Sequence, residues 1–399
     1  MKKILLLGGS AQQCIAINTA KEMGFYTILC DYLPDNPGQF LADKFYIEST
    51  TDKETILKIA RKEKVDGVLA YASDPAAPTA AYVATKLSLP TNPYLSVQTL
   101  CNKNMFRHFL KEHNFAVPNS MSISNAVFSI ENIKSMMFPI IVKPSDSSGS
   151  KGVTVIDSFD EQLICKAIQF ALEFSHNKTA IIEEFILKDH PYLIGGDIVV
   201  SNGEVVLFGL LNCHRDARVN ALVPVGKSFP LKLQPRQIEL AKETLKRLVN
   251  ELGIKFGEMN VELIIDKNNR CFLVDVGPRP GGNMIPELLG SIYGVNLAKY
   301  NVALAMQEKT DFSPKENKGF FASHNLHSNK DGVFEGIQFD EHISKCIFMK
   351  NIYKKPGDKI ELFDNASKAI GIIFMKFDNQ KEQDEILGDI YSHIRIEIK

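Results

Sequence analysis

The stretch GEMNVELIIDKNNRCFLVDVGPRPGGN, residues 257–283, restricts what this chain can fold into more than any other. Two apolar runs flank Lys267-Asn268-Asn269-Arg270, and asparagine tolerates the positive φ that a two-residue hairpin loop demands. With Asn268 and Asn269 as that loop, Lys267 faces Arg270 and Ile265 faces Phe272. The same count sets Glu262 across from Asp275 and Asn260 across from Gly277. Two carboxylates held cross-strand repel each other and destabilise the sheet. A hard cation between them reverses that sign, because Mg²⁺ favours carboxylate oxygen together with substrate phosphates. The plainer alternative is a solvated acidic pair on an exposed sheet face. Ile264 and Leu273 are expected on the same face, apolar except where the acids sit, and this favours a metal site.

A second stretch, IVKPSDSSGSKGV (141–153), sets a Ser- and Gly-rich loop with a lysine at each end between two strand-like runs. Gly149 and Gly152 let backbone N–H groups turn toward an anion, and Ser147, Ser148 and Ser150 add hydroxyl donors. Lys143 and Lys151 supply positive charge. A flexible loop with solvated lysines is the bland reading. The loop is not a Walker A motif, since GxxxxGK[ST] is absent and strands rather than a helix follow.

Residues 1–95 alternate short apolar runs with periodic helices, KILLLGG, AQQCIAINTAKEMG and YTILCD among them, which predicts a doubly wound parallel sheet. After LPTNPY the pattern becomes α+β: Asn202-Gly203 marks a hairpin, and QPRQIELAKETLKRLVNELG is an amphipathic helix closed by Gly253. A net charge of −1 leaves no electrostatic footprint for nucleic acid or an anionic membrane. The apolar runs are strand-sized, short of the roughly 20 residues that span a bilayer, and MKKILLLGGS reads as a buried first strand rather than a leader. Seven scattered cysteines without a CxxC pair suggest free thiols and a cytoplasmic setting.

Taken in order, NKNMFRHFL (102–110), PIIVKPSDSSGSKGV (139–153), IIEEFI (181–186), NVELII (260–265) and LVDVGPRPGG (273–282) resemble the ATP-grasp superfamily, of the carboxylate–amine ligase type related to biotin carboxylase and the carbamoyl-phosphate synthetase large subunit. The resemblance covers about residues 1–310. It implies an α/β and α+β chain in four parts. These are a Rossmann-like pre-ATP-grasp domain (1–95), a small subdomain with the glycine-rich loop (96–186), a large subdomain with the metal site (187–310) and a β-rich C-terminal unit (311–399).

The resemblance also implies roles. Lys103 and Lys143 would contact ATP phosphates, and Ser147, Ser148, Gly149, Ser150, Lys151 and Gly152 would close over them. Glu184, Phe185 and Ile186 would form the hinge whose backbone pairs with adenine, with Glu183 just before it and Ile264 and Leu273 as the floor under the base. Glu262 and Asp275 would bind Mg²⁺, with Mn²⁺ as an alternative, and Arg279 would steady the transferred phosphoryl group. The pattern departs from the family in having Asp275 where Glu is usual, Gly277 where Asn is usual, and no clear ribose-binding acid after the hinge, where Asp189 and His190 are the nearest polar groups. Asn260 is one group that could fill the gap at Gly277.

Arg215 and Arg218, in CHRDARVNALVPVG, are candidates to hold a substrate carboxylate, against pairing with nearby acids. Asp74, ending a predicted parallel strand, is either a ligand contact or a helix cap. The expected activity is an ADP-forming carbon–nitrogen ligase that joins a small carboxylate, through an acyl phosphate, to an amine. A bicarbonate-using relative and a nucleotide-binding protein without turnover are the alternatives. Neither nucleic acid nor membrane is expected as a partner, and a homodimer is the assembly that the resemblance implies.

Overall fold

The computed structural model describes residues 1–124, 128–147, 149–315 and 318–399. The N-terminal alternation folds as expected. β1 (Lys3–Leu7), α1 (Cys14–Glu22), β2 (Tyr26–Asp31), β3 (Lys44–Ile47), α2 (Lys53–Glu63), β4 (Gly67–Leu69) and α3 (Ala77–Lys86) build a parallel sheet ordered β3-β2-β1-β4. Odd and even residues of β1 enter different cores. Leu5 and Leu7 pack with Ile56 and Ala60 of α2, whereas Ile4 and Leu6 pack with Ile17 of α1. This is the period of two expected of a strand covered on both faces.

Helix α4 (Tyr94–Leu100) leads to α5 (Lys103–Glu112), which Asn102 caps by accepting from the Met105 N–H at 3.1 Å. A small antiparallel sheet follows, ordered β5-β8-β6-β7: β5 (Ser120–Ser124), β6 (Ile140–Pro144), β7 (Thr154–Ile156) and β8 (Thr179–Glu184), with α6 (Ile130–Lys134) and α7 (Glu161–Glu173) against it.

The chain then enters β9 (Leu193–Ser201), turns at Asn202 (φ 51) and Gly203 (φ 83), and returns as β10 (Glu204–Asp216). Two successive positive φ values are what a tight hairpin turn requires, and Asn-Gly supplies them at little cost. β11 (Asn220–Phe229), α8 (Pro235–Leu252), β12 (Gly257–Ile265), β13 (Cys271–Gly277), α9 (Ile285–Tyr293) and α10 (Leu297–Ala305) come next. Helix α8 starts on a Gln234/Gln237 capping box with Pro235 at its first turn and ends at Gly253 in the left-handed region. Its Ala241, Leu245 and Leu248 share a core with Leu263 and Leu273 of the β12–β13 hairpin.

Beyond residue 311 lie β14 (Phe320–Leu326), β15 (Gly332–Phe339), β16 (Ile347–Ile352), β17 (Lys359–Ile360), β18 (Gly371–Phe377) and β19 (Ile394–Ile398). This part is β-rich, yet three of its strands extend the preceding sheet, which runs β13-β12-β9-β10-β11-β14-β18-β16 without a break at residue 311. Helix α10 crosses the other way: Val302 packs beneath Ile4 and Leu6 of the N-terminal sheet. Among the described residues no helix is long and apolar enough to cross a membrane.

Candidate functional site

The β12–β13 hairpin pairs Glu262 with Asp275 and Asn260 with Gly277, as the count from the turn predicts. The turn itself differs. Ile265 pairs with Cys271, and Asp266 organises the connection by accepting from the N–H groups of Asn268 and Arg270, both at 2.9 Å. That shift by one residue is undone by a bulge between Glu262 and Leu263, which leaves Val274 as the extra residue opposite them. The bulge corrects the expectation for Leu273. Its side chain is 1% exposed in the α8 core, and Val274 takes the predicted place beside Ile264 in the cleft wall. Arg107 of α5 holds the bulge, donating to the carbonyls of Leu273 (3.1 Å) and Val274 (2.6 Å).

Arg107 also anchors a buried ion lattice. Its Nε lies 2.5 Å from Glu183 Oε1, and Lys143 Nζ lies 2.5 Å from Glu183 Oε2. Burial alone would raise the Glu183 carboxyl, but Arg107 and Lys143 outweigh it and bring it down to about 2. Burial lowers the Lys143 ammonium although Glu183 pulls the other way, since Arg107 and Lys103 are close. Glu183 therefore fixes the direction of Lys143 from behind rather than touching a ligand.

A cleft of about 680 Å³ opens between the small sheet and the large one, a size suited to one nucleotide-like ligand. Lys103, Lys143, Ser147, Gly149, Ser150 and Lys151 line one wall. Phe185, Ile186, Ile264 and Val274 form an apolar end, and Glu262, Asp275 and Arg215 lie on the large-sheet side. Lys103 Nζ reaches the Ser147 carbonyl at 3.0 Å and Asp275 Oδ2 at 3.3 Å. The depth of the site pushes the Asp275 carboxyl up, but Lys103, Lys143, Arg107 and Arg279 hold it below its ordinary value. Gly149 and Ser150 take φ of 71° and 61°, and Ser150 Oγ donates to the Leu222 carbonyl at 2.9 Å, so the loop rests across the cleft on β11. Ser148 lies outside the described residues. Gly152 stands behind the loop with φ 70°, where a Cβ would come within 2.9 Å of Pro144 and 3.0 Å of Phe174.

In the hinge, the Phe185 N–H donates to the Pro139 carbonyl at 2.8 Å, and the Glu184 carboxylate accepts from Asn119 (3.0 Å) and the Met137 N–H (2.9 Å). The Phe185 N–H is therefore committed, and both bonds to Glu184 fall on its Oε1. The Ile186 N–H makes no hydrogen bond to a described residue. His190 is committed to backbone, accepting the Ile265 N–H at Nε2 (3.0 Å).

The three arginines separate. Arg215 points into the cleft, with Nη2 3.5 Å from Glu262 and Nη1 buried without a partner. Arg218 turns away: its Nε binds Asp216 at 3.0 Å and its guanidinium stacks 3.4 Å above the Tyr391 ring, so it is not placed to hold a substrate. Arg279 lies behind Asp275, outside the cleft wall, paired with Asp74 and donating to the Pro280 carbonyl at 3.1 Å. Asp74 is thus an ion-pair partner, and α3 begins at Ala77 with Ala76 at its N-cap and no side-chain cap. At Gly277 a Cβ would sit 2.6 Å from Asp74 Oδ1 and 3.0 Å from Arg279 Cζ, so this ion pair fills the space of a side chain. Asn260 is not among the residues lining the cleft, and its amide nitrogen donates to the Gly196 carbonyl (2.9 Å) and Asp197 (2.8 Å).

Glu262 and Asp275 fit a divalent cation: two hard oxygen donors on adjacent strands that line the cleft, with Arg215 Nη2 3.5 Å from Glu262 and Lys103 Nζ 3.3 Å from Asp275. The residue that sequence reasoning missed is Arg107. Its signal was present, since Lys103 and Arg107 are four apart on one face of α5 and Glu183 is an acid inside an apolar strand.

The family model for the carbamoyl-phosphate synthase L chain, ATP binding domain, matches residues 102–311. The chain is 25% identical over 384 residues to the carbamoyl phosphate synthase large chain, C-terminal section, of Aquifex aeolicus, covering 85% of this chain and 67% of that one. It is 24% identical to the Helicobacter pylori large chain over 84% of its own length, but spans only 31% of that protein. Among solved structures it is similar to phosphoribosylglycinamide synthetase from Anaerococcus prevotii (TM-score 0.77, 21% identity, all of both chains). It is also similar to an L-amino acid ligase from Bacillus licheniformis (TM-score 0.80, 18% identity, 100% and 99% covered). A third is the biotin carboxylase domain dimer of Hydrogenobacter thermophilus 2-oxoglutarate carboxylase, in complex with MgADP, ADP and bicarbonate (TM-score 0.76, 16% identity, 100% and 92% covered).

Proposed function

From the premise that this chain belongs to the carbamoyl-phosphate synthase L chain ATP-binding family and has its ATP-grasp fold, we propose an ATP- and Mg²⁺-dependent ligase that joins a small carboxylate, activated as an acyl phosphate, to an amine. The observation that carries it is the cross-strand pair Glu262–Asp275, with Lys103 beside Asp275 at 3.3 Å and Lys143 and Lys151 lining the same cleft. Oxygen donors and ammonium groups in one cleft are what a metal-bound polyphosphate requires.

In this reading Lys103, Lys143 and the loop 147–152 hold the phosphates. The base lies between Phe185, Ile186, Ile264 and Val274, with the Ile186 N–H as donor, and Glu262 and Asp275 hold Mg²⁺, or Mn²⁺ in its place. A metal held there would supply charge neutralisation for the transferring phosphoryl group. Arg215, with one buried nitrogen unpartnered, orients the carboxylate substrate. Arg279 serves as a positioning residue behind Asp275. Phosphoryl transfer needs chiefly such placement and charge neutralisation. The similar amino acid ligase supports an amino acid or a comparable acid as the substrate class, and the biotin carboxylase dimer supports a homodimer.

The test is ADP release in a screen of amino acids and amines. Lys143→Ala and Glu262→Gln are each expected to lower turnover by about 10²–10³-fold, and wild-type rates in either would remove these assignments. The bicarbonate in a structural neighbour favours a second reading, a bicarbonate-activating enzyme. Bicarbonate-dependent ADP release without an amine would establish it, and nucleotide binding with no turnover in any mixture would sink both.

A further inference from the structure

One buried pair in the large sheet has no part in that reading. Cys213 of β10 is the direct cross-strand partner of Lys227 of β11, and Lys227 Nζ lies 2.7 Å from Cys213 Sγ. The two residues are 1% and 4% exposed. An N–H···O hydrogen bond is about 2.9–3.0 Å long, and sulfur is a larger acceptor than oxygen, so this approach is closer than an ammonium–thiol hydrogen bond. Among the described residues Lys227 forms no ion pair, and the sulfur is its one side-chain hydrogen-bond partner. Gly195 of β9 makes the room: a Cβ there would sit 2.6 Å from Cys213 Sγ and 2.9 Å from Lys227 Nζ. Cys213 also lines the cleft, which gives a small oxidant access to its sulfur.

We propose that Cys213 and Lys227 are a modification site, joined by peroxide through a single bridging oxygen, Sγ–O–Nζ. One peroxide oxidises the thiol: its O–O bond breaks, an S–O bond forms, and sulfenic acid and one water result. A second peroxide takes two electrons as the sulfenic oxygen bonds to the amine nitrogen. The O–H and one N–H proton leave, and that peroxide is reduced to two waters. In sum, thiol, amine and two peroxides give the bridge and three waters. The cross-linked chain is one oxygen heavier and two hydrogens lighter than the reduced one.

The experiment treats the full-length chain with hydrogen peroxide, alkylates free thiols and digests with trypsin. Residues 189–215 carry Cys213 and residues 219–232 carry Lys227, and modification blocks cleavage after Lys227. The expected product is these two peptides linked, with the mass of their sum plus one oxygen less two hydrogens, and reverting on treatment with dithiothreitol. Lys227→Arg should abolish the cross-link and leave Cys213 to proceed to the sulfinic acid. The proposal is overturned by full alkylation of Cys213 after peroxide, by sulfinic Cys213 in the wild-type chain without linkage, or by a linked species lacking the oxygen, which is a direct S–N bond. The readout is independent of ligase activity, so its failure and the failure of the proposed function are distinguishable.

Discussion

Two glutamates, Glu183 and Glu258, are buried alike, at 2% and 3% exposure, and end in opposite states. Glu183 sits between Arg107 and Lys143, and its carboxyl is held down to about 2. Among the described residues Glu258 of β12 has no cation partner. One oxygen accepts from Asn301 at 2.6 Å, and the other lies beside Asp197 rather than a cation. Burial, with Asp197 beside it, pushes its carboxyl well above the ordinary value. Glu287 of α9 belongs to the same cluster, since burial pushes it up to about 7 and Asp197 adds to this. The lesson is that burial does not decide the charge of an acid; the neighbours do. The lattice under the cleft spends its ionised acid on aiming a lysine. The cluster where β12, α9 and α10 meet the N-terminal sheet uses neutral acids as hydrogen-bonding filler.

The largest test of that contrast is Arg107→Ala. It leaves Glu183 with one cation and strips the bulge carbonyls of their donor, so a loss of about 3–5 kcal/mol in denaturant unfolding is expected, together with weaker nucleotide binding. A loss below about 1 kcal/mol would break the comparison. Acid titration is next. The Glu183 value falls from 4.5 to about 2 on folding. Its stabilisation is therefore complete above the unfolded value and lost as pH drops through that window, on the order of 3 kcal/mol in all. Unfolding of Glu183→Gln followed over the same window should lack this component.

Glu287 has the reverse sign. Its carboxyl is raised from 4.5 to about 7, so ionising it costs the folded state increasingly as pH climbs between those values. Glu287→Gln should stabilise the chain at about pH 8 and change little at about pH 5. Glu258→Gln should have the smallest effect, within about 1 kcal/mol, because a neutral amide replaces a neutral acid. A cost as large as that of Arg107→Ala would mean that Glu258 is ionised after all.

Much of this architecture was legible from residues alone. Alternating apolar runs gave the N-terminal parallel sheet, Asn202-Gly203 gave the β9–β10 turn, and counting outward from Asn268 paired Glu262 with Asp275. That count succeeded because two one-residue displacements cancel, a longer turn at Asp266–Arg270 and the bulge at Val274. Leu273 lies between them and was assigned to the wrong face for that reason. A bulge held by an arginine from a helix more than a hundred residues earlier leaves no local trace. Arg215 and Arg218 are alike in sequence, and their partners separate them: Glu262 for Arg215, and Asp216 with the Tyr391 ring for Arg218. The glycine-rich loop was readable as a loop because glycine and serine favour turns between strands, while the lysine at each end marked it as a candidate for an anion. The continuity of the large sheet across residue 311 was not, since strand pairing over such separations depends on tertiary packing.

The crowding around Gly277 reaches beyond stability. Asp74 and Arg279, 205 residues apart, occupy the volume into which the amide of the more usual Asn would project. In the proposed site, Gly277→Asn would add an amide oxygen beside Glu262 and Asp275 and would evict the clasp between the first sheet and the largest one. At this position, coordination capacity and the hold between two sheets compete for the same volume.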